Sequence, residues 1–132
     1  MKIVLDTNVF VSGIFFSGPP PQNLRAWRVG SIRIAYSPEI MLEYKRVLAE
    51  FSQQFPGVRD GPFLGLLRRY GDLVRPERVA GLLCRDPEGL KFLECLLYSK
   101  AQCLISGDKD LLAARSNTVV VLTPRQFCDR CL

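Results

Sequence analysis

Residues 1–13 read MKIVLDTNVFVSG, and the run Ile3-Val4-Leu5 breaks off at Asp6, with Thr7 and Asn8 behind it. Ile and Val favour a pleated, buried strand. Ending such a strand on an acid makes sense if the acid is used. In open parallel sheets, ligands bind outside the carboxyl ends of the strands. The reading therefore depends on whether other strands end on acids too. A second apolar run, QCLIS at 102–106, is followed by Gly107 and Asp108, with Asp110 two residues further on.

Outward from these two strands, helix and strand patterns alternate. IRIAY (32–36) reads as a strand. SPEIMLEYKRVLAEF (37–51) reads as a helix with Ser37 as N-cap and Pro38 at the first helical position. Its buried stripe is Ile40, Tyr44, Val47, Leu48 and Phe51. A helix is expected over Gln22–Val29 and another over FLGLLRRYGDLV (63–74). DPEGLKFLECLLYSK (86–100) gives a helix with Pro87 at its first position, and Phe92, Leu93, Leu96 and Leu97 belong to the core. LLAAR forms a short helix, TVVVL (118–122) the last strand, and Thr123-Pro124 the start of a final helix. Strands alternating with helices imply an α/β fold around a mainly parallel sheet, in one domain spanning 1–132.

Composition narrows the chemistry. The chain of 132 residues contains no histidine. That excludes Ser-His-Asp triads, Cys-His pairs, HExxH zinc sites and imidazole-based ribonuclease chemistry. Hydrolysis here must run on carboxylates, with a metal as their natural companion. The net charge of +5 suits a polyanionic partner such as nucleic acid, or an ordinary basic surface. No apolar run is long enough for a membrane span and no signal peptide is seen, so a soluble, cytoplasmic protein is expected. Its five cysteines are then reduced thiols. Cys128 and Cys131 form a lone CxxC, and a structural zinc would want two more ligands.

The candidate site residues are Asp6, Glu43, Asp86, Asp108 and Asp110. Each has an ordinary alternative. Asp86 precedes a proline and is a natural N-cap, Asp108 can cap the LLAAR helix, Asp6 can cap the next segment, and Glu43 can be a surface acid. Together they point to one pocket. Two carboxylates about 5 Å apart repel by roughly 3 kcal/mol at an effective dielectric near 20. A cluster of them suits a hard cation, Mg2+ or Mn2+, with phosphate oxygens completing the shell.

KIVLDTNVFVSG, SPEIMLEYKRVL, CRDPEGLKFLECLLYSKAQCLISGDKDLL and VVVLTPRQF resemble the PIN domain (PilT N-terminus) family, in particular toxin components of toxin–antitoxin systems similar to VapC toxins. The resemblance covers nearly the whole chain. It implies a three-layer α/β/α sandwich with a mainly parallel sheet of about five strands. It also implies Mg2+- or Mn2+-dependent ribonuclease activity on RNA, a homodimer or higher homo-oligomer, and a cognate antitoxin that blocks the site. The family's first, second and fourth acids fall on Asp6, Glu43 and Asp108. Asn8 matches a polar residue that supports the first, and Ser106 the Thr or Ser before the fourth. The third acid falls on Gly89, which offers no ligand, and Asp86 and Glu88 are its neighbours.

On this reading Asp6, Glu43, Asp86 and Asp108 are catalytic, and they hold the metal with help from Asp110. Arg25, Arg28, Lys45, Arg46 and Lys109 are candidates to grip the RNA backbone. The alternative is an inactive module of the same fold that binds nucleic acid or an antitoxin. A haloacid-dehalogenase-like phosphatase also opens with a strand ending in Asp. Its chemistry wants a second Asp two positions on, where this chain has Asn8.

Overall fold

Residues 1–15, 32–54, 61–79 and 81–131 are described by a computed structural model. The expected helix over Gln22–Val29, with Arg25 and Arg28, lies outside them. β1 (Lys2–Leu5) leads into α1 (Thr7–Phe15). β2 (Arg33–Tyr36), α2 (Pro38–Gln54), α3 (Gly61–Tyr70) and β3 (Asp72–Leu73) follow. A 3-10 turn (Pro87–Gly89) runs directly into α4 (Leu90–Ser99). Then come β4 (Cys103–Ile105), α5 (Lys109–Ala113), β5 (Val121–Leu122) and α6 (Pro124–Cys131). No described helix is long and apolar enough to cross a membrane.

The five strands form one sheet in the order β3-β2-β1-β4-β5, and every pairing is parallel. From β1 the chain adds strands outward in one direction, then returns to add β4 and β5 on the other side. Between β1 and β4 lies the switch point where crevices form in such sheets. Ile3, Leu5, Ile34, Leu104 and Ile105 are fully buried, as expected of a sheet covered on both faces.

The caps explain where the elements begin. The Ser37 hydroxyl accepts from the Ile40 amide at 3.3 Å. Thr123 and Gln126 exchange bonds at 3.1 and 3.0 Å, a reciprocal capping pair at the start of α6. β3 corrects the expected helix over 63–74, which in fact ends at Tyr70. Gly71 makes that ending possible. A Cβ there would stand 2.5 Å from the Leu67 carbonyl oxygen and 2.8 Å from the Tyr36 ring, so only glycine lets the chain turn against β2. The strand expected over 118–122 is ordered as β only at Val121–Leu122.

Candidate functional site

Asp6 stands at the end of β1, 7% exposed, with its amide donating to the Ile105 carbonyl at 3.0 Å. Both its carboxylate oxygens are engaged. Oδ1 accepts from the Thr7 amide at 2.7 Å and Oδ2 from the Ser106 hydroxyl at 2.8 Å. Ser106, fully buried just past β4, also accepts from the Asp108 amide at 2.9 Å. One hydroxyl thus ties the first acid to the backbone of the fourth. Asp108 caps α5, its Oδ1 accepting from the Asp110 amide at 2.7 Å. Asp86 caps the turn before α4, accepting from the Glu88 amide at 3.1 Å. For both, the capping role and the site role coexist.

Glu43 is delivered by α2, whose register is set by its neighbour. Tyr44 is fully buried, stacks on Phe10 with ring centroids 4.3 Å apart, and donates its hydroxyl to the Leu5 carbonyl next to Asp6. The Glu43 carboxylate then meets two partners. Oε2 accepts from the Thr7 hydroxyl, and Oε1 pairs with the Lys91 ammonium at 2.8 Å. Lys91 also reaches Glu88, at 3.0 Å to its carboxylate and 2.8 Å to its carbonyl.

Asp6, Thr7, Asn8, Glu43, Asp86, Glu88, Gly89 and Asp108 line one cleft of about 230 Å3, which Arg46 and Phe92 also border. Four of the five sequence candidates therefore converge. Asp110 does not join them. It pairs with Arg85 at 3.2 Å and faces a separate hollow with Leu83, Cys84 and Ala113. Of the proposed basic contacts, Arg46 borders the cleft but pairs with Glu50 at 3.3 Å. Lys45 and Lys109 are exposed.

The electrostatics follow from burial. Desolvation raises the pKa of Asp6 above the ordinary 3.8, against the lowering pull of the Ser106 and Thr7 hydrogen bonds and with added push from Asp108 and Glu43. Burial opposes the charge on Lys91, but Glu43 and Glu88 more than offset it, so its pKa lies above the ordinary 10.5. Burial raises the Cys84 thiol, and the nearby carboxylates of Asp110, Asp108 and Asp86 push the same way. That thiol stays protonated and is a poor metal ligand.

Gly89 is buried at the cleft, where a Cβ would lie 2.8 Å from the Cys84 sulfur and 2.9 Å from a Leu111 methyl. The room for a side chain at this position is already taken.

A family model described as "PIN domain" matches residues 2–110. The chain belongs to the PIN domain family. An uncharacterised protein of Methanocaldococcus jannaschii is 28% identical to this PIN protein over 143 aligned positions, covering 98% of this chain and 90% of the relative. The crystal structure of VapBC2 from Rickettsia felis, bound to a DNA fragment from its promoter, is similar in fold, with a TM-score of 0.65 at 14% identity. That match covers 93% of this chain and 98% of the other.

The PIN cleft offers carboxylate oxygens, the donors that magnesium and manganese prefer. Among the described residues, no three Cys, Asp or Glu side chains are arranged around a common metal position. Magnesium commonly takes only one or two carboxylates and completes its shell with substrate phosphate and water. Asp6 and Asp108, tied together through Ser106, fit that requirement. Glu43 does not as it stands, because Lys91 holds it. Lys91 was not legible as a site residue. Glu88–Lys91 is an ordinary i,i+3 pair, and the reach to Glu43, 48 positions away, depends on the fold.

Proposed function

We propose that this PIN protein is an endoribonuclease and the toxin of a toxin–antitoxin pair, using Mg2+ or Mn2+ at Asp6 and Asp108. The observation that carries this is the convergence of Asp6, Glu43, Asp86 and Asp108 on one cleft at the carboxyl edge of the sheet, in a chain without histidine. When bound, the cation would activate water and neutralise charge on the phosphate. Asp6 and Asp108 supply its oxygen ligands. Ser106 and the Thr7 amide hold the Asp6 carboxylate in one orientation. Glu43, paired with Lys91 behind it, and Asp86 line the same cleft. The net charge of +5 favours an RNA backbone. A cognate antitoxin protein as inhibitor, a homodimer and a cytoplasmic location complete the proposal. The fold shared with the VapBC2 structure supports the antitoxin.

One observation favours a second reading, an inactive PIN module that only binds. The place of a third carboxylate is occupied by Cys84 and Leu111 around Gly89. An RNA cleavage assay with Mn2+ separates the two. The nuclease reading expects cleavage by the wild type and none by Asp6→Asn. Equal, metal-independent traces of cleavage in both would sink it. Gly89→Asp has to displace the Cys84 thiol and a Leu111 methyl, so it is read beside the same change in a Cys84→Ala/Leu111→Ala background.

A further inference from the structure

We propose that Lys91, which borders the neighbouring hollow with Ser37 and Arg75, is a built-in counter-ion reaching Glu43 from outside the acid cleft, so that a divalent ion is confined to the Asp6–Asp108 side.

Three features carry this. The ammonium has three donors, and three acceptors surround it: Glu43 Oε1 at 2.8 Å, the Glu88 carboxylate at 3.0 Å and the Glu88 carbonyl at 2.8 Å. Nothing is left unsatisfied that would draw it away. The pair is enclosed, with the Lys91 side chain 10% exposed and that of Glu43 16% exposed. Displacing the ammonium from Glu43 would cost it the enclosed contact and leave it with Glu88, whose carboxylate is exposed. Finally, each Glu43 oxygen already has a partner, since Thr7 donates to the other. A metal claiming Glu43 would have to share the carboxylate with an ammonium whose like charge opposes it.

The chain's departure at Gly89 fits the same picture. With no carboxylate at position 89 and with Lys91 paired to Glu43, the cleft carries less net negative charge. It can persist without metal, at the expense of weak metal affinity. The ammonium of Lys91 also lies 5.3 Å from the centre of the Phe92 ring. This inference rests on the nuclease reading only in taking a divalent cation as the competing ligand.

The test is Mn2+ binding to the full chain, followed by calorimetric titration with no RNA present. Lys91→Met keeps most of the stem and removes the charge, and its affinity for Mn2+ is expected to rise about tenfold or more. Lys91→Met/Glu43→Gln leaves the wall neutral, so it remains informative even if the single variant does not fold. Its affinity is expected within about threefold of the wild type, because Glu43 is a ligand in neither protein. Unchanged or weaker binding by a folded Lys91→Met overturns the proposal. So does a tenfold or greater loss in the double variant, which would mark Glu43 as a wild-type ligand. No binding by any of the three proteins at millimolar Mn2+ overturns it as well. Because the readout is binding, a protein that cuts no RNA yet gains Mn2+ affinity upholds this inference while sinking the nuclease reading.

Discussion

The two flanks of the cleft hold acids by opposite means. On the sheet flank, Asp6 is held by neutral donors, an amide and a hydroxyl, and among the described residues no cation pairs with it. On the helix flank, Glu43 faces a fully satisfied ammonium. Burial penalises the Asp6 carboxylate, and among the described residues it is the helix flank that brings a counter-ion. The difference teaches that placing a family's acids in one pocket does not make them equivalent. The unneutralised pair is where a cation gains most.

That contrast can be broken most forcefully at Asp6. Asp6→Asn should reduce Mn2+-dependent RNA cleavage by about 100-fold or more, measured as initial rate under saturating metal. Glu43→Gln losing as much with Mn2+ affinity intact would erase the distinction between the flanks. Asp108→Asn is a cleaner probe of the same flank. Asparagine caps a helix about as well as aspartate, so thermal stability should stay within about 0.5 kcal/mol while Mn2+ affinity falls. A parallel loss of stability would mean that position 108 serves the fold alone.

Ser106→Ala sharpens the comparison from the structural side. It removes the donor to Asp6 Oδ2 and the acceptor of the Asp108 amide, both buried or partly so. A cost of about 1–3 kcal/mol in chemical denaturation is expected. Next comes pH. Because the fold raises the pKa of Asp6, the metal-free protein binds this proton more tightly than the unfolded chain does. Its stability should therefore fall as pH rises from about 3.8 through the raised value, then level off. Asp6→Asn should remove that component. Lys91 has the same sense at a much higher pH. Its contribution is present below about pH 10.5 and is lost only as pH climbs through its raised pKa. The smallest effect belongs outside the cleft. Asp110→Asn disturbs an exposed pair with Arg85 and should change cleavage less than about twofold.

Much of this was legible in the sequence. Ile3-Val4-Leu5 and Cys103-Leu104-Ile105 are short apolar runs bounded by polar residues, and their equivalence as strand ends gave Asp6 and Asp108. Ser37, Asp86 and Thr123 announced their helices by capping chemistry that acts over three residues. β3 escaped because two residues carry no periodicity, and the run before it is helical to Tyr70. Asp110 was expected to help Asp108 because it follows two residues on. One residue of each helical turn faces away, and Arg85 awaited it in the neighbouring hollow. Gly89 was visible as a missing ligand, but not that Cys84 and Leu111 had filled the space. Such contacts join segments that only the finished fold brings together.

The Ser106 hydroxyl has a further consequence. The Asp108 amide can only donate, so the hydroxyl's single hydrogen must point at Asp6, and this polarity cannot reverse. With one oxygen committed to Ser106 and the other to Thr7, a proton arriving at Asp6 has to settle on a lone pair facing the opening. An incoming metal ion needs the same lone pairs. Acid and metal are therefore rivals for one berth, and mild acidification should empty the cleft of its ion before it unfolds the protein.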